Sequence, residues 1–206
     1  MTVRVITGMG QGVRPYLDAL ARLRIRVFRD FPYLYDGDMS YEHRYLEAYS
    51  RSRRSVFVLA LDGDEVVGCS TGIPLADEVA AIQQPFVEHG MLIGEVFYFG
   101  ESVLLPAYRG QGIGHRFFDL RESHARQQGG FRWTAFCAVE RSPNDLRRPP
   151  YHRTNDAFWS KRGYQRQDQM FCTLDWTEID AMEPSAHRLR FWLRPLDAAP
   201  ATITLA

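Results

Sequence analysis

Apolar and polar positions along the chain follow two periods, and the switches between them outline the elements. Thr2 to Thr7 alternates with Val3, Val5 and Ile6 as a short strand, and Gly8, Gly10 and Gly12 break it. Beyond Pro15, the residues Leu17, Leu20, Ala21 and Phe28 recur at helical spacing. Phe31 to Ser40 is irregular and aromatic, and Ser40 is placed to cap a second helix, Tyr41 to Tyr49. Val56 to Leu61 and Val66 to Ile73 read as strands joined by the hairpin signal Asp62-Gly63-Asp64. Asp77 to His89 reads as a short helix or a loop. Gly94 to Leu105 is one long β-rich run, with Gly100 marking a bulge inside it. A helix from about Ile113 to Gln128 stops at Gly129 and Gly130. Phe131 to Val139 is a strand, Glu140 to Arg153 a long polar loop, and Asn155 to Arg162 a short helix ended by Gly163. Gln169 to Trp176 and Leu189 to Leu193 are the last two strands. The order β-α-α-β-β-β-α-β-α-β-β predicts an α/β chain of the mixed-sheet α+β kind, with helices packed on the sheet. Residues 1–195 read as one domain and 196–206 as a tail.

Composition narrows the class of function. The 206 residues are 45% apolar and 13% aromatic, enough for a sizeable core. Lys+Arg and Asp+Glu are 25 each, so the formal charge is zero, which argues against a nucleic-acid partner. Lys161 is the one lysine; all other basic side chains are arginines. Cys69, Cys137 and Cys172 are odd in number and far apart, which excludes a disulfide framework and a four-ligand zinc site. No apolar run reaches the ~18 residues that cross a membrane, and Met1 to Gln11 lacks a signal pattern. The expectation is a soluble cytoplasmic protein with no metal and no membrane partner.

The sharpest local pattern is Leu104-Leu105-Pro106-Ala107-Tyr108-Arg109-Gly110-Gln111-Gly112-Ile113-Gly114. A strand ends, three glycines alternate and a helix begins. Glycine lets backbone turn tightly and approach a ligand, and the first N–H groups of a helix lack internal partners and carry positive potential. Such a turn can cradle a phosphate, with Arg109 adding charge. Its other reading is a tight strand-to-helix turn. No Gly-Lys-Ser/Thr follows, and Gly-x-Gly-x-Gly is not the dinucleotide spacing. Gly8-Met9-Gly10-Gln11-Gly12 has the same wrong spacing and reads as a turn; the alternative it would serve is a nicotinamide site.

Pro106 to Gly114, the helix with Phe117, Phe118 and Leu120, and Asn155-Asp156-Ala157-Phe158-Trp159-Ser160-Lys161-Arg162-Gly163-Tyr164 together resemble the GNAT superfamily of acetyl-CoA-dependent N-acetyltransferases. The first block looks like that family's Arg/Gln-x-x-Gly-x-Gly/Ala pyrophosphate loop, and the second like its short helix ending in Gly-aromatic. The resemblance runs over roughly residues 1 to 195. It implies a splayed central strand pair between which acetyl-CoA lies like an added strand. Carried over, the backbones of Ser102, Val103 and Leu104 hold the pantetheine and acetyl group. Arg109, Gly110, Gln111, Gly112, Ile113, Gly114 and His115 hold the pyrophosphate, and Asn155 bonds the pantetheine amide or caps the short helix.

The implied chemistry is attack by an amine on a thioester. A base must take a proton from the ammonium, a backbone N–H must stabilise charge on the carbonyl oxygen, and an acid usually helps the thiolate leave. Glu101 is the nearest carboxylate to the expected acetyl position; Glu95 and Glu140 are rivals, and Tyr98 falls where some relatives carry the Glu. The family's acid is a Tyr on the short helix, and that position is Trp159. Tyr151 and His152 are then the options, or the thiolate leaves unaided. Cys137 reads as core. Asp36, Asp38 and Glu42 beside aromatic residues suit a cationic amine, whereas Arg141, Arg147 and Arg148 suit a carboxylate. The expected acceptor is a primary amine of a small molecule, with a protein acceptor or a non-catalytic acyl-CoA-binding module as alternatives. Analogy adds a homodimer through the late strands or Arg188, Arg190 and Arg194.

Overall fold

The computed structural model describes residues 3–197. Its strands are β1 (Arg4–Gly8), β2 (Val56–Asp62), β3 (Glu65–Pro74), β4 (Val96–Tyr98), β5 (Ser102–Leu104), β6 (Trp133–Val139), β7 (Gln165–Trp176) and β8 (Ser185–Pro195). They form a mixed α/β sheet in the order β1-β2-β3-β4-β6-β8-β7, with β5 pairing to β3 beside β4. Every pairing is antiparallel except β4 with β6. The helices are α1 (Leu17–Phe28), α2 (Met39–Arg51), α3 (Ala80–Glu88), α4 (Ile113–Gln128) and α5 (Asp156–Lys161).

Adjacent residues of β3 point to opposite faces, which sorts the helices. A Cβ on Gly68 would meet Phe117 of α4, whereas the Thr71 hydroxyl lies beside Tyr45 and Tyr49 of α2, around Gly100. Thus α4 covers one face and α2 the other, and β2 and β3 between them are apolar and buried on both sides. That is why Val56 to Leu61 is a continuous apolar run and not an alternating one.

Several boundaries differ from the sequence reading. The cap of α2 is Asp38, whose carboxylate accepts the Tyr41 N–H at 2.8 Å, so the helix starts before Ser40. Gly10–Tyr16 is a 3-10 turn leading into α1, which makes the N-terminal glycines a turn. The run from Gly94 to Leu105 divides at residues 99–101 into β4 and β5. The last strands are longer than expected, because polar residues on exposed faces still pair through their backbones. Arg190 and Arg194, expected on an association face, are buried within the chain: Arg190 donates to Glu140 and Arg194 to Glu122 at 3.0 Å. Of the expected tail, only residues 196 and 197 lie among the described residues. Among the described residues no helix is long and apolar enough to cross a membrane, and no cluster of His, Cys, Asp or Glu could hold a metal ion.

Candidate functional site

The glycine loop joins β5 to α4. Gly110 and Gly112 have φ of 77° and 78°, a region that L side chains rarely adopt. A Cβ at either position would meet nothing within 4 Å, so the loop borders open space. Gly112 is the N-cap of α4, and the first helical bond is Arg116 N–H to its carbonyl at 3.2 Å. The N–H groups of Ile113, Gly114 and His115 precede that bond, and the first turn holds no acidic side chain. The loop therefore fits a phosphate group. Arg109 reaches back to donate from Nε to the Leu104 carbonyl at 3.2 Å, which ties the loop to the strand.

A wedge opens beside this loop. β4 pairs with β6 as far as Tyr98 opposite Ala135, and the Phe99 N–H makes a last bond to the Ala135 carbonyl at 2.7 Å. Beyond it β6 runs on to Val139, while β5 pairs with β3 alone. Bonds from the Thr71 N–H to the Glu101 carbonyl and from the Leu105 N–H to the Val67 carbonyl bracket the β3–β5 ladder. Antiparallel alternation then turns the backbone of Val103 toward Cys69 and that of Ser102 and Leu104 into the wedge. Of the three expected backbone holders, Ser102 and Leu104 face the wedge, and Val103 serves as buried core.

The strand break has a specific anchor. Arg121 of α4 is 1% exposed and has no carboxylate within ion-pair distance among the described residues. It donates to the carbonyls of Phe117, Thr71 and Glu101 and to the Ser102 hydroxyl, at 2.9–3.2 Å. Its guanidinium stacks 4.1 Å from the Phe99 ring centroid. Burial pushes it down to about 10, still well above neutrality. A permanent cation thus holds the two carbonyls at the break, where β4 ends and β5 begins.

Glu101 lies at that break, its side chain 3% exposed. Its Oε2 is 2.6 Å from Arg24 Nη1 and accepts the Tyr45 hydroxyl at 2.8 Å. Its Oε1 is buried with no hydrogen-bond partner among the described residues. Arg24 also bonds the fully buried Glu42 and stacks 4.1 Å from the Tyr45 ring centroid. Arg24 thus sits between two buried carboxylates, and Arg121 brings a second buried guanidinium to the Glu101 backbone. Arg24, Tyr45 and Arg121 were missed as site residues. Their signal was polar side chains at positions whose helical neighbours are apolar: Leu20 and Phe28 flank Arg24, and Phe117 and Ala125 flank Arg121.

The other expected residues divide. Tyr98 is buried at the mouth of the wedge, its hydroxyl 3.0 Å from Cys137 Sγ on β6. Burial, and then the neighbouring Cys137, push its phenol well above the ordinary range, so it stays protonated. Tyr151 is 85% exposed on the long loop and does not join this cluster, and His152 packs edge-on against Phe31 at 4.7 Å. Trp159 packs on Phe136 and Trp192 at 4.9 and 5.2 Å, an apolar role. Asn155 makes no capping bond with its side chain, which leaves its exposed amide available. Glu95 precedes β4 and pairs with Arg132. Burial opposes the charge of Glu140, but Arg190, Arg188 and Arg166 outweigh it and hold its carboxyl below the usual range. Asp38 caps α2 and Asp36 bonds Arg29, so of the three expected acids only Glu42 faces inward.

The long loop is tied down over the α1–α2 connection. Arg141 donates to the Pro32 and Tyr33 carbonyls at 2.5 and 2.9 Å and pairs with Glu178, which also bonds Arg147. Backbone bonds from Asp36 N–H to Thr177 and from Ile179 N–H to Leu34 complete the seam. Burial opposes charge on Glu178, but Arg147 and Arg141 hold its carboxyl below the usual range. Burial also lowers His187, which stacks on Trp176 at 3.7 Å. Both groups are depressed in the fold, so both stabilise it above their unfolded values, about 6.5 for His and 4.3 for Glu. That stability is lost as pH falls, first through His187 and then through Glu178. Hydrogen exchange at Asp36 and Ile179, corrected for intrinsic rate, should lose protection as pH drops from about 6.5 to below 4. Protection that stays constant over that window would show that the seam does not depend on these charges.

The family model described as acetyltransferase (GNAT) family matches residues 20–154. No curated protein matches the sequence. Among solved structures, the Salmonella typhimurium acetyltransferase yncA with its cofactor acetyl-CoA is 10% identical, covering 100% of each chain, at TM-score 0.59. An aminoglycoside 6'-N-acetyltransferase complexed with coenzyme A is 16% identical, covering 95% of this chain and 99% of its own, at 0.59. A ribosomal-protein-alanine N-acetyltransferase from Brucella melitensis is 14% identical with the same coverage, at 0.58. One fold thus serves a small-molecule and a protein acceptor among these neighbours.

Proposed function

The chain belongs to the GNAT acetyltransferase family, and on that premise we propose that it transfers the acetyl group of acetyl-CoA to a primary amine of a small molecule by direct attack in a ternary complex. The observation that carries this reading is the wedge between β5 and β6, with the open glycine loop beside it and Glu101 buried at the strand break. The cosubstrate's pyrophosphate fits Gly110 to His115 with Arg109 alongside, and its pantetheine fits the outward backbone groups of Ser102 and Leu104 and the Asn155 amide. Bound there, it supplies the thioester.

This chain's residues then have three tasks. Glu101 takes the proton of the acceptor ammonium at its unpartnered Oε1. A wedge-facing N–H of β5 stabilises the negative charge that develops on the carbonyl oxygen. Tyr98, kept neutral by burial, donates a hydrogen bond toward the leaving thiolate. The tied loop over residues 30–36 narrows the approach, which favours a small molecule over a peptide.

Thermal unfolding tests the cosubstrate assignment. Acetyl-CoA at about a hundred times its Kd should add ~2.7 kcal/mol, or about 5–10 °C for a chain of this size. Gly112→Arg puts a side chain into the loop's open space and a non-glycine residue at φ of 78°, which costs the fold only ~1–2 kcal/mol. The variant should fold and lose the acetyl-CoA shift. A shift of equal size in both proteins would remove the phosphate role of the loop. CoA release with a panel of primary amines then tests the transfer itself.

A further inference from the structure

Beyond Glu101 the buried hydroxyls do not stop. Tyr45 and Tyr49 lie one turn apart on α2, with ring centroids 4.8 Å apart, and both hydroxyls point at the strand break. Tyr45 donates to Glu101 Oε2 at 2.8 Å, and Tyr49 donates to Glu78 Oε1. Both hydroxyls and the Thr71 hydroxyl converge on Gly100: a Cβ there would lie 2.3 Å from Tyr49, 2.8 Å from Thr71 and 2.9 Å from Tyr45. The strand break thus leaves room for two phenols to meet. Glu78, just past the end of β3, is half-buried and reaches the surface, unlike Glu101. Two hydrogen bonds, Tyr45 to Glu101 and Tyr49 to Glu78, thus meet through neighbouring hydroxyls between the carboxylate at the wedge and one at the solvent boundary.

We propose that Glu101, Tyr45, Tyr49 and Glu78 form a proton relay that carries the acceptor's proton from the wedge to water. The relay rests on the acetyl-transfer reading above. In the first step an ammonium N–H bond breaks, the electron pair stays on nitrogen, and an O–H bond forms on Glu101. The Tyr45 hydroxyl turns from Glu101 to Tyr49, a rotation its single C–O bond allows. The Glu101 proton passes to the Tyr45 oxygen, that of Tyr45 to Tyr49, and that of Tyr49 to Glu78. Glu101 ends as a carboxylate, both tyrosines as phenols, and Glu78 as a carboxylic acid that releases its proton to water.

The surroundings favour this direction. Arg24 from α1 sits against Glu101, with Glu42 beside it on α2, Arg121 on α4 and Tyr98 on β4 around the chain of hydroxyls. Glu78 has no cation within salt-bridge distance among the described residues, and burial raises its carboxyl above the usual range. Burial, followed by the adjacent carboxylates, also raises Tyr45 and Tyr49, so both remain phenols between transfers.

Tyr49→Phe cuts the chain in the middle while leaving Glu101 and its two partners in place, and Glu78→Gln removes its outer end. The probes are the best primary amine of the panel and its β,β-difluorinated analogue, which is largely neutral at the assay pH and has no ammonium proton to send to water before attack. For the basic amine, each variant should lower kcat at least about tenfold, a part of the 10²–10⁴-fold that proton-transfer catalysis contributes. The double variant should be no slower than the single ones, as expected of groups that act as a unit. For the fluorinated amine, kcat should stay close to wild type. Equal losses with both amines would show that Tyr49 and Glu78 serve only packing, and no loss with either would also overturn the relay. Wild-type protein that releases no CoA with any amine would overturn the acetyl-transfer reading itself, and the relay with it.

Discussion

Glu101→Gln should lower kcat by about 10²–10⁴-fold while acetyl-CoA still raises the unfolding midpoint as it does in wild type. The amide has the shape of the carboxylate and can still accept from the Tyr45 hydroxyl, so the site keeps its form. What it loses is the ability to take a proton. The charge arithmetic of the cluster also predicts that this variant folds well. Arg24 faces two carboxylates, Glu42 and Glu101, and neutralising one leaves a balanced pair with Glu42. Arg24 therefore keeps a charged partner, and the variant avoids the penalty of leaving that guanidinium uncompensated. The loss should depend on the acceptor: large for an ammonium, small for an amine already neutral. A kcat within about threefold of wild type for a basic amine is far below what a general base contributes, and would move that role to another group, Glu78 first.

The glycine loop was legible because its chemistry is local. Gly110, Gly112 and the start of α4 are consecutive in sequence, and the positive φ angles are what the glycines allow. The element order was legible for a similar reason, since each strand and helix carries its own period. The cap of α2 was misplaced by two residues because Asp38 and Ser40 are equally good caps in sequence, and only the chain's path decides between them. The strand break at residues 99–101 was visible as a glycine but not as a geometry. Its form is set by Thr71 on another strand and by Arg121 on α4, twenty residues beyond Glu101. Tyr151 looked suitable because it lies near the short helix in sequence, yet the loop turns it outward. The residues missed altogether are those whose partners are distant in sequence. Arg24 and Tyr45 meet Glu101, and Tyr49 meets Glu78, only after α1, α2 and the end of β3 have packed together. A charged residue inside an apolar helical stripe is the trace such a site leaves in sequence, because burial of that charge requires a partner from elsewhere in the fold.

Arg24→Met should show the reverse of Glu101→Gln, and that contrast tests the cluster as a whole. The methionine fills much of the same space, but Glu42 and Glu101 are then left together with no cation between them. Breaking a buried ion pair by removing one partner costs about 3–5 kcal/mol, because the remaining charge is uncompensated. For a chain of 206 residues that is a fall in midpoint of roughly 6–20 °C. Arg24→Lys should fall between: the charge survives, but one ammonium cannot reproduce the planar contact that joins Glu42 through Nε and Glu101 through Nη1. Adding Glu101→Gln to Arg24→Met should recover part of the lost stability, since one of the two stranded carboxylates is gone. Such non-additivity is expected of residues in direct contact and not of independent sites. If Arg24→Met costs less than about 1 kcal/mol, the trio behaves like an exposed ion pair. Water would then reach Glu101 directly, and neither a dry wedge nor an internal route for its proton would be needed.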